Sequence, residues 1–155
     1  ATRDYEQMEQ FIEVLVNAHL LHTSNHKDGE YKIYIRCTDS FGNKNMEDFP
    51  LTFTVDTTAP SLLSTYPANS ATSVEKRPRI TVTFDKTMNR TSVVIALESG
   101  NSKVPATISW KGLENTLFFM PSYELLANTE YTVSITAKDI AANPLAYAWK
   151  FRTSG

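Results

Sequence analysis

From Tyr31 onward the dominant period of the apolar residues is two, a spacing suited to strands that bury one face. In Tyr31-Lys32-Ile33-Tyr34-Ile35-Arg36-Cys37 the odd positions are apolar and the even ones mostly polar, and Leu51, Phe53 and Val55 alternate with threonines. Ile80, Val82 and Phe84 repeat the pattern, followed by Ala106, Ile108 and Trp110, by Tyr131, Val133 and Ile135, and by Tyr147, Trp149 and Phe151. Each run is short, rich in β-branched and aromatic residues, and bounded by Gly, Pro, Asn or Ser. This is the pattern of a β-sandwich. By the same register Cys37 points with Ile33 and Ile35 and reads as a buried, inert thiol, and both tryptophans read as core. Phe118 and Met120 fall out of register with Leu117 and Phe119, so an exposed interface is expected there. Helical spacing appears only at the start, where Tyr5, Met8 and Ile12 suggest one or two turns.

The chain also repeats itself. Residues 30 to 43 (EYKIYIRCTDSFGN) align without a gap on residues 130 to 143 (EYTVSITAKDIAAN). Each copy opens on a tyrosine at the start of a strand, and in Ig-like sandwiches such a tyrosine returns its hydroxyl to upstream backbone. Tyr31 and Tyr131 are therefore expected at equivalent corners with buried rings. Each copy leaves its strand through Asp-x-x-[Gly/Ala]-Asn, where Asp39 or Asp139 can accept backbone N–H bonds and Asn43 or Asn143 tolerates left-handed backbone. Ala142 stands where the first copy has Gly42, which predicts that the positive φ moves to Asn143. Val55-Asp56-Thr57-Thr58-Ala59-Pro60 is too short for a flexible tether, and its proline makes a stiff joint. The 155 residues thus divide into 1–58 and 59–155.

The phrase from Tyr31 through Asp39-Ser-Phe-Gly-Asn43 to Val55-Asp56-Thr-Thr-Ala-Pro60 resembles the closing strands and junction of bacterial Ig-like repeats. Residues 60–153 resemble the Ig-like domain of S-layer and other multidomain extracellular proteins. The resemblance rests on Tyr66-Pro67-Ala68-Asn69, Ile80-Thr-Val-Thr-Phe84-Asp85-Lys-Thr-Met88-Asn89, Leu117-Phe-Phe-Met-Pro121, Asn128-Thr-Glu-Tyr131, Asp139-Ile-Ala-Ala-Asn143 and Trp149-Lys-Phe-Arg-Thr153. It implies an all-β chain of tandem Ig-like β-sandwich modules, the first incomplete, and the helical spacing of Tyr5, Met8 and Ile12 puts a short helix at the N-terminal side of that first module. It also implies a stalk or spacer of a prokaryotic cell-surface or secreted protein. A rival role is an accessory module of a secreted hydrolase that binds polysaccharide or positions a catalytic domain; an exposed aromatic platform would favour it.

The chemistry-bearing residues are sparse. His19, His22 and His26 lie within eight residues, but strand geometry turns 19 and 22 to opposite faces and a turn carries 26 away, so surface histidines are expected. Residues 60–153 also resemble periplasmic copper-resistance carriers, yet they contain no histidine and only the isolated Met88 and Met120, so copper is not expected. The single cysteine excludes an internal disulfide and a zinc ribbon. Calcium is the better metal, with Asp39, Asp56, Asp85 and Asp139 as the available carboxylates. Their sparse spacing favours turn-forming roles, with calcium at most stiffening the joint. There is no G-x-S-x-G, H-E-x-x-H or phosphate loop, and no enzyme is expected. Lys+Arg 15 against Asp+Glu 17, with no basic run, argues against nucleic acid, and no apolar stretch is long enough to insert in a membrane. The expected partners are neighbouring domains of the parent chain and a surface protein or glycan. A second copy could cover the open edge of the first module.

Overall fold

The computed structural model describes residues 13–15, 18–20, 27–39, 41–113 and 115–155. The chain divides between Val55 and Asp56 into two units. That division falls ahead of Asp56, whose carboxylate and carbonyl bond to Lys86 and Asn143 of the second unit.

In the N-terminal unit β1 (Glu13–Leu15) pairs antiparallel with β2 (Ala18–Leu20), and β3 (Gly29–Ile35) with β4 (Phe49–Val55). The expected helix over Tyr5 to Ile12 lies outside the described residues, as do His22 and His26, while His19 sits in β2 opposite Val14. The β3–β4 register stacks Tyr31 on Phe53, Ile33 on Leu51 and Ile35 on Phe49 along one face. No described side chain of this unit is fully buried. Cys37 corrects the expectation of an inert core thiol: β3 ends at Ile35, the alternation stops with it, and the thiol is exposed.

The C-terminal unit is a two-sheet sandwich. One sheet has the order β10-β11-β7-β5, from β5 (Leu62–Tyr66), β7 (Ile80–Phe84), β10 (Ala106–Trp110) and β11 (Thr116–Pro121). The other has the order β6-β13-β12-β8-β9, from β6 (Ala71–Val74), β8 (Val94–Ser99), β9 (Ser102–Lys103), β12 (Glu130–Lys138) and β13 (Pro144–Thr153). All neighbours are antiparallel except β6, which lies parallel to β13. The inward positions meet between the sheets: Ile80, Val82, Phe84, Leu117 and Phe119 from one, Leu97, Tyr131, Val133, Ile135, Trp149 and Phe151 from the other.

Trp149 is the largest buried side chain, and its Nε1–H donates to the Pro67 carbonyl at 2.9 Å, so the indole is enclosed with its one polar atom satisfied. Three expected core residues depart from the pattern. Ile108 and Tyr147 are exposed and Trp110 is half-buried, because β10 is an edge strand and Tyr147 lies near the hairpin end of β13. Trp110 instead stacks on Phe84 at 5.9 Å and carries the Arg90 guanidinium at 4.7 Å over its ring. The only helical turn among the described residues is the 3₁₀ segment Arg90–Ser92, capped by Asn89.

Candidate functional site

The two repeated segments form the same local structure. Thr38 bridges Lys44 where Lys138 pairs with Pro144, so both loops turn the chain between antiparallel partners at one register. In each, the aspartate N–H donates to the asparagine carbonyl, at 2.9 Å for Asp39 and 3.1 Å for Asp139. In each, the asparagine N–H donates to Oδ1 of the aspartate at 2.8 Å, and its Nδ2 donates to Oδ2, at 2.8 Å from Asn43 and 3.0 Å from Asn143. Beyond the loop the first copy has two extra residues on its returning strand, since Ile35 pairs with Phe49 whereas Ile135 pairs with Tyr147. Tyr31 Oη donates to the Lys27 carbonyl at 2.8 Å, and Tyr131 Oη accepts from the Leu126 N–H at 3.0 Å. Each ring stacks on a cross-strand phenylalanine, Phe53 at 5.6 Å and Phe151 at 5.8 Å. Only Tyr131 is buried. Tyr31 is half-buried, contrary to the expectation, because its described neighbours form one two-stranded layer.

Ala142 also departs from the expected turn: it adopts the positive φ itself, at +69°, where Gly42 has +87°. The Ala142 N–H must reach the Asp139 carbonyl at 3.1 Å, as Gly42 reaches Asp39, and this bond holds the alanine in the left-handed region. Ala142→Gly is therefore expected to stabilise the unit by about 1 kcal/mol and raise Tm by a few degrees, as read by a thermal melt.

The sites diverge in what surrounds the aspartate. Asp39 is exposed, whereas Asp139 is 1% exposed at the end of β12, beside the β7 end and the first residues of the unit. Lys86 Nζ donates to both oxygens of Asp56, at 2.6 and 2.8 Å, and to the Thr58 carbonyl at 2.6 Å, and it stands 3.7 Å from Asp139 Oδ2. Asn143 Nδ2 donates a second time, to the Asp56 carbonyl at 2.9 Å. Residues 56–58 are thereby fastened to the sandwich by one ammonium and one amide. Burial pushes the Asp139 carboxyl up, but hydrogen bonds from Asn143 and the Ala141 N–H, with the Lys86 charge, outweigh it and hold the group below the usual carboxylate range.

Of the four carboxylates considered for calcium, only Asp56 and Asp139 are brought together, with the Lys86 ammonium between them. Asp85 is taken by Ser61, whose N–H and Oγ donate to it at 2.8 and 2.7 Å and lower its pKa, the side-chain bond most. Asp39 is lowered by Asn43, first through its side chain and then its backbone N–H. Among the described residues no three of His, Cys, Asp and Glu gather around one point. Sequence reading missed Lys86, whose partner Asp56 lies thirty positions away with no local spacing to reveal it.

Comparisons with known proteins agree with the sandwich. A family model described as a bacterial Ig-like domain matches residues 56–153. No curated protein sequence is significantly similar to the chain. Among solved structures, the fold resembles PcoC, a methionine-rich copper resistance protein from Escherichia coli, with a TM-score of 0.56 at 17% identity. That match covers 63% of this chain and 100% of PcoC. CopC from Methylosinus trichosporium OB3b matches with a TM-score of 0.54 at 12% identity, over 61% of this chain and 93% of CopC. The N-terminal part of the bacterial S-layer protein SbsC gives 0.48 at 15% identity, over 63% of this chain and 24% of that one. In the C-terminal unit the two methionines are apart in environment, Met88 buried in the core and Met120 exposed on β11.

Proposed function

Since its match over residues 56–153 makes this chain a member of the bacterial Ig-like domain family, we propose that it is a non-catalytic spacer in a larger surface or secreted protein. The observation that carries this reading is the fastening of residues 56–58 by Lys86 and Asn143. A segment that only joined two modules would need no such bonds, whereas one that passes tension into a sandwich gains from a fixed point of entry. The same reading takes residues 1–55 as the closing part of a preceding module. Support comes from the β3–β4 hairpin, which repeats the corner, loop and aromatic pair of β12–β13. The cation of the fastening is Lys86 itself, and calcium has no part in this reading.

Pulling single molecules from their two ends tests it. Residues 56–155 are expected to yield in one step that lengthens the chain by roughly 300 Å, near the extended length of so many residues less the folded span. The N-terminal hairpin, lacking buried side chains among its described residues, is expected to extend without a resolved step. Lys86→Met is expected to release residues 56–60 at a lower force than the sandwich. Gradual extension with no resolved step would overturn the spacer reading.

A further inference from the structure

The outer faces of the two sheets differ in kind. The five-stranded sheet carries ordinary paired charges, Glu130 with Lys150 at 3.0 Å and Glu98 with Lys103 at 3.6 Å. The four strands of the other sheet contain no acidic residue. Its outward positions carry hydroxyls at Ser64, Thr81, Thr83, Thr107 and Ser109, interrupted by Tyr66, Phe118 and Met120. Tyr66 pairs with Thr81, Thr81 with Phe118 and Phe118 with Ser109, so these four form one rung across the sheet. Two strand spacings, about 10 Å in all, separate Tyr66 from Phe118.

The two aromatic positions are not equivalent. Tyr66 is 49% exposed with its ring available. Phe118 is half-buried beneath Arg79, whose guanidinium carbon lies 4.7 Å from the ring centroid. Stacking on Phe118 holds that cation over a face whose strands supply no carboxylate. The result is a flat strip with a ring at one side, hydroxyls in the middle and an oriented guanidinium two strands away.

We propose that this face binds an acidic polysaccharide, one pyranose stacking on Tyr66 and a carboxylate on a following sugar pairing with Arg79. An extended sugar chain presents apolar C–H faces and hydroxyls in turn, and successive sugars would meet Tyr66, the Thr81 hydroxyl and Arg79 along the rung. The charge selects a uronate-bearing chain over a neutral one. A protein partner would call for a continuous apolar centre, whereas the exposed Leu63, Tyr66 and Met120 are set among the hydroxyls of Ser64, Thr81 and Thr107. The proposal is independent of the spacer reading, which stands whether or not this face binds.

Affinity electrophoresis of the full chain through polygalacturonate, a neutral β-1,4-glucan and polyglutamate tests it. Retardation by polygalacturonate alone is expected, roughly tenfold weaker in Tyr66→Ser and in Arg79→Gln and unchanged in Lys150→Gln. Both target side chains are exposed, and thermal melts of the variants establish that they fold. Equal retardation by polyglutamate would reduce the effect to nonspecific charge and overturn the proposal. Absence of retardation, binding of the neutral glucan indifferent to Arg79→Gln, or a dimer in sedimentation that Tyr66→Ser dissolves would each overturn it as well.

Discussion

Replacing Trp149 by alanine is expected to destabilise the C-terminal unit by about 3–5 kcal/mol, a large fraction of what a domain of this size possesses. The indole is 2% exposed, lies across β12–β13 from Val133, and satisfies the Pro67 carbonyl. The alanine variant opens a cavity between the sheets and leaves that carbonyl without its donor. Trp149→Phe keeps most of the volume and loses the donor, so its smaller cost, about 1–3 kcal/mol, combines the lost hydrogen bond with a smaller cavity. Urea unfolding checks both, with Trp110 as the remaining fluorophore. A cost under about 1 kcal/mol for Trp149→Ala would show that the indole does not key the sheets together.

Asp139→Ala is expected to cost a similar amount, about 3–5 kcal/mol, because it leaves several donors of a buried cluster unpaired. Asn143 loses two bonds to Asp139 at 2.8 and 3.0 Å, and Lys86 loses the second of its two carboxylates. The pH dependence separates this from a packing defect. The folded state holds the Asp139 carboxyl below its ordinary value, so the unfolded chain binds the proton more readily. The stabilisation is therefore complete above about pH 4 and is lost as pH falls through the lowered folded value. Stability measured from neutral pH down to about pH 2 should fall steeply below about pH 4 in the parent chain. Asp139→Ala should flatten that fall incompletely, since Asp85, also lowered in the same unit, keeps the same sign. An acid limb unchanged in the variant would place the sensitivity elsewhere.

Much of the sandwich was legible because alternation is a local signal. Tyr131, Val133 and Ile135 turn inward for the same reason that Thr132 and Ser134 do not, and no distant residue has to be known. The corner tyrosines and Asp-x-x-x-Asn loops were legible because an aspartate bonding an asparagine four positions on needs only a short segment. Cys37 was misread where the pattern outran its element, since a polar–apolar run does not mark the residue at which a strand stops. Ile108 was misread because alternation does not distinguish an edge strand from a central one. Lys86 was invisible for a third reason: its partners come from the start of the unit and from the β12–β13 loop, and only the fold brings them together. Ala142 shows local preference overruled, because the Asp139 turn fixes the backbone and the side chain tolerates it.

The parallel pairing of β6 with β13 sets how the sandwich meets tension. β6 follows β5, which is paired with β7 in the other sheet, and β13 ends the unit; because β6 and β13 run the same way, opposed pulls that reach this pair slide the two strands past each other along their common axis. The Ser70–Lys150 and Ser154–Val74 backbone bonds, with the Asn69 side chain on the Lys150 N–H, then bear the load together. An antiparallel pair of terminal strands, pulled from adjacent ends, would instead open bond after bond like a zip. Shear loading makes the force that parts this pair depend on how many of these bonds act at once, so residues 69–74 bear on mechanical strength through backbone bonds, with only Val74 among them buried in the core.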